Sequence, residues 1–132
     1  MDVLIIEDVD PMLRLLELVF NGIPGVRVSG LAKNGWDARV EISRRRPDLI
    51  LLDEILPGES GAELLEQFEQ QSIPVILLTS LSNPVHGVPK NALGRLVKPG
   101  WRSVEQDRSR LTQELKSFLD GTTLAGELLE SS

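Results

Sequence analysis

Short apolar runs recur along this chain, with helical patterns between them. They are "VLII" at 3–6, "VRVSGLA" at 26–32, "DLILLD" at 48–53, "PVILLTS" at 74–80 and a brief "RLV" at 95–97. An unbroken Val/Leu/Ile run reads as a strand buried on both faces, because a half-exposed strand would alternate apolar with polar residues. Burying both faces requires helices on both sides of the sheet. Strands alternating with helices then predict an α/β fold built on a doubly wound parallel sheet.

The connecting segments support that reading. Asp10 and Pro11 predict an N-cap and a proline at the first helical position. In the helix that follows, Leu13, Leu16 and Phe20 share one face, and Arg14, Glu17 and Asn21 form a polar stripe. Asn21-Gly22 is its stop signal. Further helices are expected over 35–46, 59–70 and 103–120, the last with Leu111, Leu115, Phe118 and Leu119 on its apolar side. The arginine run 44–46 reads as a solvated helix C-terminus matched to the helix dipole. Trp36 is expected to cover a helix edge, His86 to lie exposed in a loop, and Trp101 to lie near whatever site follows strand five.

The 132 residues suit one domain with one core, expected over 1–120, with 121–132 as a tail or the start of a linker. A net charge of −6 argues against direct binding to nucleic acid, whose phosphates want a basic face. Without cysteine there is neither a disulfide nor a thiolate metal site. No apolar stretch approaches the length of a membrane span, and the start of the chain lacks a basic region before its short apolar run. A soluble, cytoplasmic protein is expected.

In a doubly wound sheet, ligands bind at the carboxyl ends of the strands. Strand one ends in Glu7 and Asp8, strand three in Asp53, strand four in Thr79 and Ser80, and strand five in Lys98. Neighbouring acids at a strand end either reach water or hold a cation. Three carboxylates within a few ångströms would force a proton onto at least one of them unless a cation intervenes. Mg²⁺ fits, because it takes oxygen ligands and shares a few carboxylates with a phosphate. A carboxylate can itself act as a nucleophile and become an aspartyl phosphate. That transfer needs positioning and charge neutralisation more than acid–base help.

The stretches "EDVDP" after strand one, "LLDEILPGESG" at 51–61, "TS" after strand four and "KP" at 98–99 resemble the receiver domain of two-component response regulators, over about residues 2 to 119. The resemblance implies a flavodoxin-like fold with strand order 2-1-3-4-5. It implies that Asp53 accepts a phosphoryl group from a phosphohistidine on a sensor histidine kinase or phosphotransfer protein. Glu7, Asp8, Asp53 and the backbone carbonyl of Ile55 would hold Mg²⁺. Thr79 would donate to the phosphoryl oxygen and move on activation, and Lys98 would pair with it and with Asp53. Pro99 follows a position that is often a cis peptide in the family. Such a domain signals by docking on a downstream protein, and its only chemistry is the gain and loss of its own phosphoryl group.

Three features depart from the family pattern. A helix normally lies between strands four and five, but "SLSNPVHGVPKNALG" at 80–94 contains two prolines and two glycines. An interior proline costs a helix about 3 kcal/mol and a glycine about 1 kcal/mol, so a loop or at most one helical turn is expected over 81–94. The family's rotating switch side chain, an aromatic or histidine three residues before the lysine, is replaced by Arg95, and Gly100 stands where phenylalanine is usual. Ile55 and Leu81 occupy positions that tune dephosphorylation in the family. Both are apolar, so neither orients a hydrolytic water, and a long-lived phosphoryl group is expected. The altered output face favours one rival, a phosphorylation-independent interaction module on the same fold. A flavodoxin-like cofactor binder would need a glycine- or hydroxyl-rich phosphate loop in place of "EDVDP". A haloacid-dehalogenase-type phosphatase would need an acid where Ile55 stands.

Overall fold

A computed structural model of the chain describes residues 1–56, 58–79, 92–97 and 104–120; the side chains of 55, 59–62, 104–107, 118 and 120 are outside that description. Strands β1 (Asp2–Ile6), β2 (Arg27–Ala32), β3 (Leu49–Asp53), β4 (Val75–Thr79) and β5 (Ala92–Val97) form one sheet. They lie in the order β2-β1-β3-β4-β5, every neighbouring pair parallel. This is the flavodoxin-like order 2-1-3-4-5. Helices α1 (Asp10–Asn21), α2 (Gly35–Arg44), α3 (Gly61–Gln70) and α4 (Val104–Asp120) cover it.

The unbroken apolar runs are divided residue by residue between two layers, because successive strand side chains point to opposite faces. Val3, Ile5, Leu49, Leu51, Ile76 and Leu78 pack under α1 and α4, against Leu16, Phe20, Leu111 and Leu115. Leu4, Ile6, Ile50, Leu52, Val75 and Leu77 pack under α2 and α3, against Ala38, Leu64 and Phe68. All five residues of β3 and of β4 are buried. Phe20 and Phe68 anchor the two layers, and truncating either to alanine would cost about 3–5 kcal/mol.

Several boundaries differ from the sequence expectation, each for a local reason. Helix α1 starts at Asp10, not after it. Val9 holds the cap position without a side-chain bond, and the Asp10 carboxylate pairs with Lys33 at 2.6 Å. Helix α2 stops at Arg44, two residues early, because Arg45 turns to an extended conformation and bonds Asp2 at 2.8 Å. Arg46 donates to the Gln71 carbonyl. The arginine run therefore ties α2 to its neighbours instead of merely facing water. The true start signal of α2 is Asn34, whose side chain accepts from the Asp37 N–H at 2.8 Å.

Glu59 and Ser60 do not open α3. They pair antiparallel with Ile55 and Leu56, and Gly58, at φ 73°, turns the chain between them. Strand β5 begins at Ala92, three residues ahead of the expected 95–97, so residues 92–94 of the loop expected over 81–94 are strand instead. Gly94 marks a register shift, with Val75 opposite Ala92 and Ile76 opposite Gly94; it is a bulge and not a stop. Residues 81–91 and the tail 121–132 lie outside the described residues. Trp36 is 73% exposed, so its ring covers little of the α2 edge on which it sits.

Candidate functional site

The carboxyl edge of the sheet gathers the acids. Glu7 follows β1, and its N–H donates to the Ala32 carbonyl at 2.9 Å, continuing the β1–β2 ladder by one step. That extra rung keeps Glu7 within the protein, where it is fully buried. Its Oε1 accepts from the Val9 N–H at 3.3 Å. Asp53 is the last residue of β3, is 2% exposed, and lies opposite Leu78 of β4. Asp8 is exposed at the mouth. Glu7, Asp8 and Asp53 each offer a carboxylate oxygen such that all three atoms lie within 4.8 Å of one another.

For Glu7, though not for the exposed Asp8, this geometry discards one of the two explanations of the acids after β1. Glu7 does not reach water. Two of the three converging carboxylates are buried, an arrangement that like-charge repulsion and desolvation both oppose unless a cation is shared. The donor set suits a hard divalent ion. Oxygens on opposite sides of Mg²⁺ stand about 4.2 Å apart, given ligand distances near 2.1 Å, so the cluster needs little closing to grip one. Among the described residues no softer donor joins the cluster, and a sequence without cysteine has no thiolate to offer.

Thr79 ends β4 and is 4% exposed, with Val97 opposite it on β5. The expected hydroxyl thus stands one strand from Asp53, on the same edge. Ile55 begins the short strand pair that follows Asp53. Lys98, Pro99, Ser80, Leu81, His86 and Trp101 lie outside the described residues. Arg95, in the middle of β5, donates through Nε to Oε1 of Glu54, the residue directly after Asp53.

Sequence reading missed two participants on this edge. Glu54 was passed over because nothing local marks it: its partner is 41 positions away. Lys33 follows Ala32 directly, but its pairing with Asp10, 23 positions away, has no local signal in the sequence. Among the described residues no helix is long and apolar enough to cross a membrane.

Residues 3–106 match the family model described as the response regulator receiver domain. Among curated proteins, the chain is 39% identical over 82 residues to a protein-glutamate methylesterase/protein-glutamine glutaminase of Treponema pallidum. That match covers 61% of the chain and 20% of the relative. The chain spans 20%, 22% and 32% of the lengths of the first three such relatives. Among solved structures, the response regulator domain of Thermotoga maritima CheB superposes with a TM-score of 0.75 at 22% identity, covering 92% of this chain and 98% of that one. A chain from the complex of the CheA3 P1 domain with CheY6 of R. sphaeroides gives a TM-score of 0.71 at 23% identity, covering 91% and 97%.

Proposed function

This chain belongs to the response regulator receiver domain family, and we propose that it is a phosphoacceptor switch working through Asp53. A receiver is a signalling domain. The phosphoryl donor in this reading is the phosphohistidine of a sensor histidine kinase or a phosphotransfer protein. The observation that carries it is the convergence of Glu7, Asp8 and Asp53, two of them buried, at the carboxyl edge of the sheet.

One Asp53 carboxylate oxygen attacks phosphorus, the P–N bond to the imidazole breaks, and the imidazole nitrogen leaves with the bonding pair. Glu7, Asp8, Asp53 and the Ile55 carbonyl would hold Mg²⁺, which when bound neutralises charge on the phosphoryl oxygens. The Thr79 hydroxyl donates to a phosphoryl oxygen, and Lys98 supplies a further positive charge. Burial of Asp53 and Thr79 keeps competing water from the acceptor and strengthens each of these interactions. Thr79 moves on phosphorylation, and Arg95 occupies the family's switch position on β5. The change controls docking on a downstream protein in the cytoplasm, with 1–120 as the receiver. The complex of CheA3 P1 with CheY6 supports a donor domain of that kind as the upstream partner. Esterase and glutaminase activities belong to the whole relatives, of which this chain matches a part.

The test is intact mass after incubation with Mg²⁺ and acetyl phosphate, on wild type and on Asp53→Ala. A single phosphoryl adduct on wild type alone is expected. If neither protein gains an adduct, Asp53 is not an acceptor. The rival, a phosphorylation-independent interaction module, then takes its place; Arg95 at the switch position is the feature that favours it.

A further inference from the structure

The carboxyl edge carries a fourth acid that does not join the cluster. Glu54 follows Asp53 directly, yet it is absent from the three residues whose oxygens converge within 4.8 Å. Its backbone and its side chain each engage another strand. Its N–H donates to the Leu78 carbonyl of β4 at 3.0 Å, and its carboxylate takes the Arg95 guanidinium from β5. The pair is largely shielded, with side-chain exposures of 12% for Arg95 and 24% for Glu54. It is thus screened less than a surface ion pair, and breaking it by removing one partner leaves a poorly solvated charge.

We propose that Arg95 is a positioning residue that keeps Glu54 out of the metal-binding carboxylate set, so that the site holds three acids and not four. This rests on the phosphoacceptor reading of Asp53. A divalent ion beside three carboxylates leaves a net charge near −1, against which a phosphoryl donor can still approach. A fourth carboxylate would bind the cation more tightly, fill a coordination position that the phosphoryl oxygen needs, and repel the donor. Arg95 therefore acts through Glu54: it weakens metal binding and speeds phosphoryl transfer.

That opposition of sign separates positioning from mere structural support. Arg95→Ala is expected to raise Mg²⁺ affinity several-fold in calorimetric titration. The rate of adduct formation with acetyl phosphate should fall about tenfold, the scale of coupling between contacting charged groups. Arg95→Lys, which keeps the charge, should restore both, and so should Arg95→Ala combined with Glu54→Gln. The proposal is overturned if Arg95→Ala changes neither quantity or lowers both together. It is also overturned if Glu54→Gln fails to relieve the Arg95→Ala defect. Should Arg95→Ala not fold, Arg95→Gln and the single Glu54→Gln variant carry the test. The former should bind Mg²⁺ more tightly and phosphorylate more slowly than wild type, and the latter should match wild type in both. Wild type that binds Mg²⁺ but gains no adduct overturns the acceptor reading itself, and the positioning role falls with it.

Discussion

At the amino edge of the sheet Asp2 lies between two guanidinium groups, whereas at the carboxyl edge Glu7, Asp8 and Asp53 lie against one another. Asp2 bonds Arg27 at 3.0 Å and Arg45 at 2.8 Å, and its N–H donates to the Asp48 carboxylate at 2.7 Å. One strand, β1, connects the two arrangements, with Asp2 at its start and Glu7 directly after its end. The amino edge resembles the stitching of any well-folded domain, in which each acid meets a base and the charges cancel locally. The carboxyl edge instead draws three acids together, an arrangement that favours a cation among them. An acid's role is thus set by what it converges on, and not by its position at a strand end.

The largest effect that separates the edges is the response to Mg²⁺. At a concentration one hundred times the dissociation constant, a ligand of the native state adds about 2.7 kcal/mol of stability. Denaturant unfolding of wild type and of Asp2→Asn should show that full increment. Glu7→Gln should show little of it, since it removes a charged oxygen ligand. An equal increment in Glu7→Gln would place the ion elsewhere.

A smaller effect of opposite sign is expected without the metal. Asp53→Asn removes one of three converging charges and should raise stability by about 1 kcal/mol, a rise of roughly 3–5 °C in melting temperature for a domain of this size. Asp2→Asn breaks two ion pairs to half-exposed arginines and should lower stability by at most about 1 kcal/mol. Thermal melts in a chelator read both. If the two variants shift the same way, the contrast between the edges fails.

The smallest effect concerns Lys33 and Asp10, which pair on the carboxyl edge but in water, with side-chain exposures of 50% and 62%. Lys33→Ala should change stability by only a few tenths of a kcal/mol, and less still at high salt. A loss above about 1 kcal/mol in a chemical melt would mean that the pair belongs energetically to the buried cluster.

Much of this organisation was legible in the sequence. The apolar runs placed β1 to β4 within about two residues, because strands buried on both faces leave no room for polar residues. The acids after β1 and β3 and the hydroxyl after β4 were legible as strand-end residues, since topology alone brings those ends together. Contacts that depend on distant partners were not legible. Glu59 and Ser60 look like a helix start, but two residues carry no periodicity with which to reveal a strand pair. Gly94 read as a breaker because a bulge and a stop use the same residue. Arg95 was legible as a departure from the family pattern. That it holds Glu54 depends on β5 lying beside β4, which only the assembled sheet shows.

The pairing of β1 with β3 joins residue 3 to residue 49 and carries the chain across α1, β2 and α2 before the first central rung forms. Such distant pairing is slow to reach, because the entropy of closing the intervening chain is lost before the contacts repay it. Glu7 and Asp53 become neighbours only when those two strands have zipped along their length. A nascent chain or a half-formed sheet has no cation grip to offer. An ion held at that cluster would therefore act late on the pathway: it would slow the escape from the native state and leave the rate of reaching that state almost unchanged.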